Sequence, residues 1–351
     1  MKKFLKFIKF TFLTILSLFI IFALYFYISG KIFLESKNQE NVDYLKANNA
    51  VIKDSINGKL FDKNFYDSQV FLLGEIHGFA DNQIIDRELF FFLNKKIGIR
   101  YYISEMDSIT AKKLNNFLSD KTKNETILKE VVVAVAQRIP QQSSRELFDK
   151  WDAIYDYNQK LPDSSKITVI GIDKNFDDKS KEPRDLEMIK NFKNAIQKLK
   201  LENEKFYGLF GFYHVLQSEL ESGSKILGVE LKKAGFKTIS FVSHTVDSEM
   251  YLPKNPQFPT PENEKVEWGN ADGPLVLVKG INDIKEVSKP NSITLFKLNS
   301  ENSPYFKSQN LVYLKSRLFG DNIIPKENAF ATDYFQYVFL LRNSKALSKM
   351  K

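Results

Sequence analysis

From Phe10 to Gly30 the chain carries no charged residue. Twenty-one helical residues at 1.5 Å each reach about 30 Å, the thickness of a bilayer's hydrocarbon core. Lys2, Lys3, Lys6 and Lys9 precede this run, which orients the N-terminus to the cytoplasm. A cleaved signal peptide would have a shorter apolar region ending in small residues. Here the end is bulky, "ALYFYISGKIF". The expectation is an uncleaved transmembrane anchor with the remainder outside the cytoplasm, periplasmic or extracellular. Residues 1–9 are then a cytoplasmic basic segment, 10–30 the anchor, 31–64 a juxtamembrane linker with a lead-in helix, and 65–345 a single domain.

The anchor also explains the charge. The chain has a net charge of +8, and the first 31 residues hold five lysines and no acid. The rest is close to balanced, so nucleic acid is not an expected partner. Cysteine is absent, which excludes disulfides, thiolate metal sites and a cysteine nucleophile.

Beyond the linker, short apolar runs alternate with amphipathic ones. "QVFLLG" reads as a strand, and Asp81 then caps a helix with Ile85, Leu89, Phe92 and Leu93 on one face. "IRYYISE", "KITVIGID", "KFYGLFGFYH" and "FKTISFVSH" read as four more strands. Between them lie helical stretches, including one with Leu147, Trp151, Ile154 and Tyr155 on one face. This alternation implies an α/β fold: a mostly parallel sheet with helices on both faces, preceded by the transmembrane helix. Later, "YLPKNPQFPTPENEK" reads as a loop, and "PLVLVKG", "SITLFKL" and "YFQYVFLLRN" as further strands.

Parallel α/β sheets bind ligands at the carboxyl ends of their strands. Glu75 and His77 follow the first strand, Glu105 the second, Asp173 the third, His214 the fourth and His244 the fifth. These include all three histidines of the chain. In "GEIHG", glycines on both sides of Glu75 and His77 permit a tight turn and close backbone approach. No G-x-S-x-G, Walker loop, H-E-x-x-H or G-x-G-x-x-G is present. What remains is carboxylate with imidazole, a set that can activate water or hold a metal. Glu75, His77, Glu105 and His214 are the catalytic candidates, and equally the metal ligands if a metal is bound. Asp173, His244, Arg138 and Arg145 are candidate substrate-binding residues.

"LLGEIHG" resembles the first motif of the erythromycin esterase-like and ChaN-like superfamily, which borders the TraB/Tiki group. "YYISEMDS", "GLFGFYHV" and "LGVELKKAGFKTISF" resemble later family motifs in the same order. The likeness spans roughly residues 65–345, motif by motif. It implies that this region is one esterase-like domain acting on a small-molecule substrate. His77 would then be the general base on water, Glu75 and Glu105 its orienting carboxylates, and His214 the group that holds the substrate or the developing oxyanion. Esterase-type members need no cofactor. ChaN-type members bind haem, for which Tyr101, Tyr102 and Tyr213 would be further ligands. Tiki-type members are peptidases that use a divalent metal. The second motif departs from the family by placing Phe212 and Tyr213 before His214.

Overall fold

The computed structural model describes residues 2–254, 264–317 and 320–350. A continuous helix α1 (Lys2–Leu34) leads into α2 (Gln39–Ala47) and β1 (Asn49–Ile52). The helix α1 is long and apolar enough to cross a membrane. After α3 (Lys63–Tyr66) come β2 (Val70–Glu75), α4 (Asp81–Ile97), β3 (Tyr101–Ser104), α5 (Ser108–Ser119), α6 (Glu125–Val135), α7 (Arg145–Gln159) and β4 (Thr168–Gly171). Then follow α8 (Arg184–Leu199), β5 (Phe206–Gly211), α9 (Leu227–Lys233), β6 (Thr238–Val246), β7 (Met250–Leu252), β8 (Glu264–Val266) and β9 (Val276–Val278). The last elements are α10 (Ile281–Val287), β10 (Ile293–Lys297), β11 (Leu314–Ser316), α11 (Ala331–Tyr334) and β12 (Tyr337–Arg342).

Eight strands form one sheet in the order β1-β10-β12-β6-β2-β5-β3-β4. The five pairings from β12 to β4 are parallel, and β1 and β10 close one edge antiparallel. The expectation of a mostly parallel sheet holds. Alternation along each strand splits the core in two. Val70 and Leu72 face a layer built with α2, α8, α9 and α10. Phe71 and Leu73 face a layer built with α4, α5, α6 and α7. Helices therefore cover both faces, as parallel strands without a polar side require.

Local signals account for most boundaries. Asp107, Asn124 and Ser144 cap α5, α6 and α7 through their side chains. Gly98 ends α4 in the left-handed region, with φ 71°. Asp81 is not the cap expected of it. It is the first helical residue, after Ala80, where its charge still favours the helix N-terminus.

Two further expectations differ. Residues 31–64 hold a helix, as read from the sequence, but the stretch is packed into the domain rather than hanging as a linker. The helix α1 runs to Leu34, α2 buries Val42 and Leu45, and β1 joins the sheet on β10. The segment called a loop at 251–265 begins and ends in β7 and β8, which pair antiparallel. Its middle, 255–263, lies outside the described residues. The strand read from "PLVLVKG" is β9, which pairs with β11 in a small sheet of its own.

Candidate active site

The chain passes from β2 outward to β3 and β4, then returns to insert β5 between β2 and β3. Such a reversal opens a crevice at the carboxyl ends of the strands. Glu75 is the last residue of β2 and is buried. Gly78 turns the chain with φ 102°, and a Cβ there would come within 2.7 Å of the Tyr251 carbonyl. Only glycine fits. The turn folds His77 back so that its Nδ1 lies 2.9 Å from Glu75 Oε1. Gln142, just before α7, donates to the same carboxylate oxygen.

The second histidine stands opposite. His214 sits on a single 3-10 turn, Phe212–Val215, directly after β5. Its Nδ1 lies 2.8 Å from Asp185 Oδ2, which also accepts from the Leu227 amide at 2.7 Å. Gly211 lies between the rings. A Cβ on Gly211 would stand 3.4 Å from His77 Nε2 and 3.5 Å from His214 Cδ2. The two imidazoles thus face one small space, each held through Nδ1 by a carboxylate. That bond fixes the tautomer and leaves Nε2 toward the space. Among the described residues, no protein group hydrogen-bonds His77 Nε2.

Glu105 and Arg184 fill the wall beside them. Glu105 Oε2 accepts from the Gly211 amide at 2.7 Å, and Oε1 accepts from Arg184 at 2.8 Å. Arg184 also donates to both oxygens of Asp173, at 3.0 and 2.6 Å. Its Nη1 is 3.4 Å from His214 Nε2. Glu105 Oε1 is 3.5 Å from that same nitrogen. Depending on its proton, His214 accepts from Arg184 or donates to Glu105. Arg138 completes the network from the far side, with Nε 3.1 Å from Asp173 Oδ2. A cleft of about 940 Å³ opens beside it, walled by Arg184, Asp185, Tyr213 and Ser222–Lys225.

The charges tune one another. Burial opposes the His77 imidazolium, but the hydrogen bond and charge of Glu75, with the charge of Glu105, outweigh it and raise its pKa. For His214, burial is again outweighed, here by Asp185 and Glu105, and the pKa rises. Burial pushes Glu105 up, yet His214, His77 and Arg184 together hold its pKa below the ordinary value.

The sequence candidates divide accordingly. Glu75, His77, Glu105, Asp173, His214 and Arg138 come together. His244 does not. It lies within β6, fully buried, 2.9 Å from the Leu311 carbonyl and against the Phe212 ring. Arg145 is also apart, exposed on α7 and paired with Asp149 at 2.8 Å. Trp151 and Tyr155 are core residues, as expected. Sequence reasoning missed Arg184, Asp185 and Gln142. All three stand in polar stretches, "KEPRDLE" and "PQQSS", with no pattern to mark them.

A metal does not fit this donor set. Both oxygens of Glu105 are engaged, Glu75 Oε1 is shared by His77 and Gln142, and the Arg184 guanidinium stands against the space. No group of three His, Asp or Glu among the described residues has metal-holding geometry. The haem alternative fares similarly. Tyr101 lies at the amino end of β3 under Arg100, and Tyr102 is tied to Asp86 inside the core. Only Tyr213 borders the cleft.

No protein-family model matches the sequence, and no curated protein does. Solved structures match its fold. A Bacillus cereus protein from a structural-genomics programme aligns over 90% of this chain and all of its own, with TM-score 0.67 and 13% identity. A succinoglycan biosynthesis protein aligns over 90% and 100%, with TM-score 0.62 and 12% identity. Erythromycin esterase EreC, as a histidine-to-asparagine variant in its open conformation, aligns over 83% and 95%, with TM-score 0.56 and 9% identity. The chain therefore has the erythromycin esterase-like fold.

Proposed function

We propose that the protein is a hydrolase, anchored in the cell membrane and acting outside the cytoplasm, that activates water at His77 to cleave an ester or related carbonyl of a small-molecule substrate. The observation that carries this reading is the facing pair of histidines, each oriented by its own carboxylate, with His77 Nε2 unpartnered.

In this mechanism, Glu75 holds the Nδ1 proton and Gln142 holds Glu75. Nε2 of His77 takes a proton from water as the oxygen attacks the carbonyl carbon. Arg184, and His214 in its doubly protonated form, lie beside the same space, where negative charge develops on the carbonyl oxygen. Donors held in place before the reaction stabilise that charge without reorganising. The His77 imidazolium then returns its proton to the leaving oxygen. The reading calls for no metal and no haem.

A panel of simple esters tests it. The full chain should hydrolyse at least one of them while colourless and metal-free by elemental analysis. His77→Ala should lower kcat/KM by about 10²–10⁴-fold, the usual worth of a positioned base. Activity that survives His77→Ala, or a strong Soret band on adding haemin that is lost in His214→Ala, overturns the reading.

A further inference from the structure

The apolar helix does not merely leave the domain; its last turns lie on it. Arg317 sits 3.9 Å over the Phe26 ring and 3.3 Å from Ser29 Oγ. Phe33 packs edge-on against Tyr313 at 4.9 Å, and Leu34 is buried in the core. Just after the helix, Glu35 pairs with Lys279, and Asn38 and Asn41 are bonded to Asp283. Between helix and domain runs an apolar cleft of about 710 Å³, lined by Phe19, Phe22, Phe26, Pro274, Leu275 and Leu277. Arg317 forms one wall of the cleft and has no carboxylate partner among the described residues.

The place of this contact in the fold matters. Asp272–Leu277 is a small hairpin rooted at Ala271, whose amide bonds to Thr245 near the carboxyl end of β6. Lys31 and Glu35 share a surface with Arg342, the last residue of β12. The helix thus meets the domain at the sheet edge that also carries His77 and His214. If residues 10–30 fill the hydrocarbon core, Phe22 and Phe26 lie in its outer half and Phe19 at its middle. The hairpin beside them then reaches the lipid.

We propose that the domain rests on the bilayer through the Gly273–Leu277 hairpin and Arg317, with the catalytic edge of the sheet turned to the membrane. A phospholipid acyl chain fills the cleft, and Arg317 meets the headgroup phosphate as an unpaired guanidinium suits. Resting on the hydrolase reading, the substrate class follows: an amphiphile whose ester lies at headgroup depth.

The chain has no cysteine, so one introduced thiol is a unique labelling site. Full-length Leu275→Cys, Ser224→Cys and Lys237→Cys proteins, each carrying an environment-sensitive fluorophore, are placed in phosphatidylcholine–phosphatidylglycerol vesicles. The label at 275 should be quenched at least twofold by headgroup-proximal nitroxide lipid. Energy transfer to a membrane dye should rank 224, beside the site, nearer the bilayer than 237, at the opposite edge. An unquenched 275, or 237 nearer than 224, overturns the surface whatever the assays give. In the same vesicles, a membrane-inserted acyl ester should have at least tenfold higher kcat/KM than its short soluble analogue. Equal turnover overturns the substrate class. With labels at the expected depth, cleavage of neither ester upholds the surface and counts against hydrolysis alone.

Discussion

Glu75 determines what His77 can do. The hydrogen bond and charge of Glu75 raise the imidazole pKa against burial, so the acid limb of kcat/KM should lie above the ordinary histidine value of about 6.5. Below that limb the ring is protonated and cannot accept. Glu75→Gln removes the charge that raises the pKa and leaves burial, which lowers it. The limb should then move to lower pH while the plateau falls, because Nδ1 loses its ionic partner. A limb that stays in place would mean that another group titrates. His244 behaves oppositely. Burial holds its pKa down to about 4. The unfolded chain therefore binds a proton that the folded one refuses between about pH 6.5 and 4. Stability present above pH 6.5 should be lost on acidification through this window, by up to about 3 kcal/mol from this residue. Urea midpoints of wild type and His244→Gln at pH 7 and 5 check this: the variant should lose less. At this scale, Glu75 and His77 were legible because glycines bracket them at a strand end. Arg184 and Asp185 were not, since an Arg-Asp pair in a charged stretch looks like any solvated helix start.

At the scale of elements, the apolar runs revealed the parallel strands but not their partners. The strand β1 is only four residues long, Asn49–Ile52, and its Val51 is exposed. An edge strand needs little apolar sequence, so nothing in the chain announced it. Nor does alternation tell direction, and β10 runs antiparallel between β1 and β12. One element contact was hidden more deeply. Lys150 on α7 lies 2.6 Å from Asp86 on α4, both buried, and Tyr102 and Tyr207 donate to the same carboxylate. Lys150→Met leaves that carboxylate without its cation inside a hydrophobic layer. The expected loss is about 3–5 kcal/mol by chemical denaturation, a large share of a typical domain's stability. The double variant Asp86→Leu with Lys150→Met should recover part of it. A single variant as stable as wild type would show that the pair carries no such role.

At the scale of the molecule, a long apolar helix followed by an α/β fold could be read from charge and hydropathy alone. The junction could not. The stretch 35–64 is polar enough to suggest a tether with a lead-in helix; the helix is there as α2, but the stretch also contributes β1 to the sheet. Asn41 bonds to Asp283 of α10 and Tyr44 to the Lys297 carbonyl of β10, both far along the chain. That arrangement has a consequence for how the protein is made. A chain is synthesised from its N-terminus, so β1 and α2 appear more than two hundred residues before Asp283 and Ile293–Lys297. Contacts of such long range form slowly, and partly folded chains of this size expose apolar surface while they wait. The β1 edge of the sheet is therefore synthesised early and finished late, and the nascent chain must be kept from aggregating until its own C-terminal third arrives to close that edge.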